Sequence, residues 1–255
     1  MRGKKGIKVV AILVALLMVV VLAPISSETA YADDIITAGD YAYTVQDDGS
    51  AQIIGYCGND SYVEYPSSID GHTVTRVGWE DSHYDLCPDS VTNIVLPDTV
   101  ESIGDYAFGN ARSLQSIILG AGLKAIEEEA FTGCTGLKSI EIPAGVTTIG
   151  NSAFCDCSSM TSATIPSSVI QIGNSAFIRC SKLKHLSLNA KIDNIGLAVF
   201  NDCSSLTSID IPEGVTYICA DAFSGCTSLA NVTIPSSVTE FGWNSFKNTN
   251  LTTII

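Results

Sequence analysis

Phe108, Phe131, Phe154, Phe177, Phe200, Phe223 and Phe246 stand 23 positions apart, seven copies in strict register. A chain that keeps one residue type at a fixed interval over that span is expected to be a solenoid, in which each interval is one turn and neighbouring turns cover each other. Other columns keep the same step. Six residues after the Phe come Leu114, Leu137, Met160, Leu183, Leu206 and Leu229. Nine after it come Ile117, Ile140, Ala163, Leu186, Ile209 and Val232, and eleven after it Leu119, Ile142, Ile165, Leu188, Ile211 and Ile234. The last two columns alternate as a short strand with one buried face does. Pro97, Pro143, Pro166, Pro212 and Pro235 follow the strand, and proline, which cannot donate to a ladder, ends it.

The second half of each repeat must return along the back. Val146, Ile149 and Phe154 are spaced too irregularly for a long helix, and Gly104, Gly150, Gly173, Gly196 and Gly242 interrupt their columns. Extended backbone plus one tight helical turn around Ala-Phe fits better, with the Phe ring between strand and back wall. One such rung cannot bury its own apolar residues, so the core is supplied by stacking.

The first 32 residues do not carry the repeat. Arg2, Lys4, Lys5 and Lys8 precede an apolar run from Val9 to Ala23, and Ala30-Tyr31-Ala32 has the small-x-small form of a signal-peptidase site, so 1–32 reads as a signal peptide cleaved before Asp33. The alternative is an uncleaved anchor, although the run is short for a span of roughly 20 residues. Either way the repeats are expected outside the cytoplasm, secreted or at the cell surface. The chain has 13 Lys+Arg and 27 Asp+Glu; without the leader's four basic residues and Glu28, about 17 net negative charges remain. Such a surface repels phosphate backbones and anionic lipid, so neither nucleic acid nor, after cleavage, a membrane is expected as partner.

Export ordinarily suggests disulfides. Yet five of the nine cysteines, Cys134, Cys157, Cys180, Cys203 and Cys226, occupy one column, where the end repeats carry Ala111 and Thr249. A column shared with alanine and threonine is a packing position, so a ladder of buried, mostly free thiols is expected. Rungs about 5 Å apart also leave a bridge between neighbours within reach. Cys57 and Cys87 lie outside the ladder, and pairing between them stays open. Cys155-Asp156-Cys157 lacks the spacing of a zinc site, and no metal or other cofactor is expected.

Along the chain, residues 33–78 read as an N-terminal β cap. Its strands, Tyr41 to Gln46 and Ala51 to Tyr56, flank the turn Asp47-Asp48-Gly49-Ser50, and Tyr62 to Tyr65 resembles a repeat strand. Residues 79–90, WEDSHYDLCPDS, break the period. That insertion is either a loop offering Trp79 and Tyr84 to a ligand or a junction packed by them. Residues 91–255 are the repeats. Leu251 to Ile255 begins a strand with one residue missing before it and no capping repeat after it. An open rung of that kind exposes strand edge, which suggests a homodimer formed through it.

The unit C-x-x-L-x-x-I-x-I-P-x-x-V-x-x-I-G-x-x-A-F, seen as CTGLKSIEIPAGVTTIGNSAF, resembles the repeat of BspA-like leucine-rich-repeat surface proteins, and YTVQDDGSAQIIGYCGND is similar to the segment preceding the repeats in that family. The resemblance implies a right-handed solenoid of leucine-rich repeats, with a strand and a short extended or helical turn per rung and an N-terminal hairpin cap. It also implies a secreted or surface bacterial protein, in some members an adhesin for host or matrix proteins. Its motifs fix no ligand-contacting residue. No LPxTG-type signal or second hydrophobic segment follows the repeats, which argues against permanent wall attachment.

The side chains between the buried strand positions point outward, onto a face expected to be concave. Ser139, Glu141, Ser162, Thr164, His185, Ser187, Ser208, Asp210, Asn231 and Thr233 are the candidate binding residues there. Mostly short hydroxyl groups without aromatic or arginine anchors, they suit an extended contact with an extracellular protein or glycan rather than a deep pocket. His185 beside Ser162 and Ser208, with Asp210 diagonal, is the nearest approach to a catalytic constellation. A flat sheet offers it no oxyanion hole, so an enzyme is not expected. The other function compatible with the residues is a structural or self-associating envelope component with no ligand of its own.

Overall fold

The computed structural model describes residues 35–78 and 87–254. The expected leader, the insertion residues Trp79 and Tyr84, and the last residue of the chain lie outside the described residues. No described residue is helical.

Alternation is obeyed rung by rung. The front strands Asn93–Val95, Ser116–Ile118, Ser139–Glu141, Ser162–Ile165, His185–Leu188, Ser208–Asp210 and Asn231–Thr233 turn alternate residues inward, Leu186 only partly buried among them, and the residues between outward. They pair in parallel with identical columns aligned, as in Ser139↔Ser162↔His185 and Glu141↔Thr164↔Ser187. The last front strand, Thr253–Ile254, pairs Thr253 with Asn231, a step one residue short that matches the missing residue before it. The ladder lapses after Ser116–Ile118 and after His185–Leu188. These are the rungs whose strands are followed by Gly120 and Asn189 in place of proline.

The back wall is a second set of parallel strands, Ser102–Ile103, Ala125–Ile126, Thr148–Ile149 and Gln171–Ile172, then Asn194–Ile195, Tyr217–Ile218 and Glu240–Phe241. Stacking starts within the expected cap. Tyr62–Glu64 pairs with Asn93–Val95 as a front strand, and His72–Val77 pairs with Ser102–Ile103 as a back strand. The antiparallel pair Tyr41–Val45 and Ala51–Tyr56 adds to the same back sheet, Ala51–Tyr56 lying parallel to His72–Val77.

The turn around each Ala-Phe is tight, and bonds within the rung, such as Thr132 N–H to Glu129 O (2.9 Å) and Cys134 N–H to Phe131 O (3.2 Å), alternate with bonds to the next rung. Residues two before and two after every Phe adopt left-handed backbone, for example Glu129 (φ 53°) and Gly133 (φ 69°) about Phe131. Left-handed backbone costs a non-glycine residue roughly 1–2 kcal/mol. The cost is offset because these residues, and the Phe between them, donate across the gap: Glu129 N–H to Asn151 O (2.9 Å), Phe131 N–H to Ala153 O (2.7 Å) and Gly133 N–H to Cys155 O (2.7 Å). Asn, Asp and Gly recur at these positions because they tolerate the conformation best.

Between the walls the Phe rings form one continuous stack. Centroids of successive rings lie 5.0–5.7 Å apart and planes diverge by 3–20°. Tyr65 meets Phe108 edge-on at 6.4 Å, Tyr41 meets Tyr65 at 5.5 Å and Tyr56 meets Tyr41 at 5.3 Å. The hairpin's aromatics thus close the end of the column.

The cysteine ladder is buried and unbridged. Each thiol donates to the Phe carbonyl of the preceding rung: Cys134 to Phe108 (3.0 Å), Cys157 to Phe131, Cys180 to Phe154 and Cys203 to Phe177 (3.2 Å each), and Cys226 to Phe200 (3.1 Å). Burial pushes all five thiols up, Cys226 to about 12. A thiol ordinarily near 9 that stays protonated when folded stabilises the fold fully below that pH. Its contribution is lost as pH rises through 9 toward the folded value, because only the unfolded state releases the proton. Urea denaturation at pH 8 and pH 10.5 should therefore show lower stability at the higher pH, each such thiol contributing about 1.4 kcal/mol per pH unit. An aromatic disulfide reagent at pH 8 should leave the five ladder thiols untouched until denaturant is added.

Candidate functional site

Because inward positions of the front strands are filled by Ile140, Ala163, Ile209 and Val232, the residues on either side of them face solvent. All ten candidate residues lie on this one face. Ser139, Glu141, Thr164, His185, Ser187, Ser208, Asp210, Asn231 and Thr233 are exposed, and Ser162 is half-buried. The structure divides them into two runs. Ser139, Ser162 and His185 form one row with Glu141, Thr164 and Ser187 beside it; Ser208 pairs with Asn231, and Asp210 with Thr233.

Short polar side chains in register bond to one another along the stack. Thr233 Oγ1 donates to Asp210 Oδ1 at 2.5 Å, and nearer the cap Ser116 Oγ donates to Asn93 Oδ1 at 2.6 Å. Asp210 is thus engaged by the following rung and not by His185. Among the described residues no hydrogen bond joins His185 to Ser162, Ser208 or Asp210, so the geometry assembles no nucleophile, base and orienting acid.

A shallow depression of about 250 Å³ lies where the two runs meet, lined by Ser162, Thr164, His185, Ser187 and Ser208, with Lys184 at its edge. Sequence reasoning placed the first five on the face, but missed the depression and Lys184. Only the sheet's relief shows them. Ile118, 62% exposed in the same outward column as Glu141, is an apolar exception on the face.

A charged pair on the turn layer was also missed. Arg179 donates through Nε to Asp156 Oδ1 and through Nη2 to Asp156 Oδ2, both at 2.6 Å, and approaches Cys155 Sγ at 3.2 Å. The guanidinium holds the Asp156 carboxyl below its ordinary range. Spacing would have found the pair, since both residues occupy the column two after Phe. At about half exposure it is worth little more than an ordinary surface ion pair, about 1 kcal/mol or less. Among the described residues no cluster of His, Cys, Asp or Glu is arranged to hold a metal ion.

Comparison with known proteins agrees with this architecture. A family model for the BspA type leucine rich repeat region, in six copies, matches residues 80–207 and 193–255. A leucine-rich repeat protein from Bacteroides ovatus ATCC 8483 superposes with a TM-score of 0.75 at 28% identity, over 85% of this chain and 57% of its own. The chain therefore spans little more than half of that protein. A leucine-rich repeat protein of T. pallidum superposes with a TM-score of 0.62 at 30% identity, covering 81% of this chain and 85% of its own. The pneumococcal vaccine antigen PcpA, 19% identical with a TM-score of 0.51, shares the fold. No curated protein sequence matches.

Proposed function

Because the chain belongs to the BspA type leucine-rich-repeat family, we propose that it is an exported surface protein that binds an extracellular protein or glycan through the outward face of its front sheet. The carrying observation is the alignment of mostly exposed short polar side chains in two runs on successive front strands, meeting at the depression beside His185. Such a surface suits an extended contact made of many small hydrogen bonds. The depression on it is open to solvent rather than enclosed, and catalysis forms no part of the reading. Adhesion to host or matrix proteins is the role we assign to it.

Biolayer interferometry of the purified chain against extracellular-matrix proteins and glycans tests this. Saturable binding is expected with at least one of them, and Glu141→Lys with Asp210→Lys should weaken it at least about tenfold, since like charge introduced at an interface costs several kcal/mol. Binding unchanged by that pair would refute the front face as the receptor.

A second reading, a self-associating envelope component, draws on the last rungs, where Phe241 and Trp243 are 53% and 82% exposed. Light scattering on the same sample separates the two. A mass that doubles with concentration, without binding to any of those probes, would favour assembly over reception.

A further inference from the structure

The hairpin and the first rung enclose an open groove of about 450 Å³ whose walls include Tyr41, Tyr56, Tyr62, Asp60, Glu64 and Asp70. Its chemistry is unlike that of the front face. Among the described residues no Lys, Arg or His lines it; Asp60, Glu64 and Asp70 are held instead by phenols. Tyr56 Oη donates to Asp60 Oδ2 (3.1 Å), Tyr62 Oη to Glu64 Oε1 (2.8 Å), and Tyr43 Oη, from the core behind, to Asp70 Oδ2 (2.9 Å). Tyr41 Oη donates to the Glu64 carbonyl (3.0 Å).

A neutral phenol fixes the direction of a carboxylate without cancelling its charge. Burial and the neighbouring Asp60 push Tyr56 to about 12, so its phenol stays neutral. The described walls of the groove therefore combine carboxylates that no described cation offsets with aromatic rings, both of which attract an organic cation. Tyr56 is nearly buried while Tyr62 is 52% exposed, which gives one ring set into the wall and one at the rim. Tyr62–Glu64 is also the terminal strand of its sheet among the described residues, so an extended segment has an edge to run along.

We propose that this groove binds a lysine or arginine side chain of a basic, extended polypeptide segment, as a second site at the N-terminal end of the solenoid, separate from the front face. The carboxylates of Asp60, Glu64 and Asp70 take the charge, and the rings of Tyr41 and Tyr62 pack on the aliphatic stem.

Calorimetric titration of the full chain with an acetylated, amidated pentalysine peptide tests the assignment. Saturable binding is expected, weakened about tenfold by Asp60→Asn with Glu64→Gln, and three- to tenfold by Tyr62→Ala, which removes a ring but no charge. Tyr62→Phe should keep most of the affinity. Glu141→Gln with Asp210→Asn removes the same number of charges from the front face and should change the affinity less than twofold. All five substituted positions are exposed, so the variants keep the fold. Equal weakening by the two charge pairs would show attraction by the acidic surface as a whole and overturn the proposal. So would full affinity in Tyr62→Ala, or the absence of saturable binding. Failure of the front-face reading would leave these outcomes untouched.

Discussion

Phe154→Ala should lower the free energy of unfolding by about 3–5 kcal/mol, the range for emptying a fully buried aromatic site. Phe154 has no solvent exposure, and its ring stacks on Phe131 at 5.2 Å and on Phe177 at 5.0 Å. Truncation therefore removes contacts with both neighbouring rungs as well as its own transfer free energy. Because each rung is held mainly by the two beside it, a hole at the third of seven rings should also loosen coupling between the parts on either side. Urea unfolding followed by circular dichroism should show a lower midpoint with a shallower transition. Phe246→Ala, at the half-buried end of the stack, should cost less than half as much. Equal losses at the two positions would mean that stacking between rungs does not hold the solenoid together.

Gly173→Val should destabilise by about 3 kcal/mol, at the upper end of the usual overpacking penalty. A Cβ placed on Gly173 would lie 2.3 Å from Asn151 N and 2.4 Å from Gly150 C, both backbone atoms of the preceding rung. Neither can swing aside as a side chain can, so the rungs must separate there and strain the Gly173 N–H bond to Ile149 O, now 2.8 Å. Gly150 and Gly242 are under the same constraint, their added Cβ atoms falling 2.5 Å and 2.2 Å from neighbouring backbone. The column is not uniform. Glu127 occupies it one rung earlier than Gly150 and sends its carboxylate back to Arg76 Nη2 at 2.5 Å, past Gly104, where a Cβ would press on that guanidinium. A chain that accepts Gly173→Val with an unchanged thermal midpoint would show that rung spacing is not set by backbone contact.

Much of this was written in the sequence because each column repeats its physical requirement five to seven times. The Phe step identified the core, the proline column marked the strand ends, and a cysteine column shared with alanine marked a packing position. What escaped lies largely in backbone geometry. The left-handed column two before each Phe holds Tyr106, Glu129 and Ala198 as well as Ser, Asp and Asn, so no consensus betrays it, and a helical turn was the natural reading of Ala-Phe. The column two after, Asn, Asp or Gly in every copy but Arg179, carried a signal that the reading passed over. Continuation of the back sheet through Ala51–Tyr56 was hidden because the hairpin is not a repeat. The front-face columns were readable from alternation alone. The depression at His185 and the tyrosine-lined groove depend on how neighbouring rungs and the cap meet in space, which no single column records.

The claim that the front face receives the ligand is tested most directly by comparing matched substitutions on the two walls against whichever extracellular probe binds. Lysines introduced at Thr164, Ser187 and Asp210 on the front should abolish saturable binding, while lysines at the outward back-wall positions Thr147, Asp193 and Thr216 should leave it within about twofold, as expected of charges far from the contact. Loss of binding on the back wall with the front wall indifferent would contradict the account.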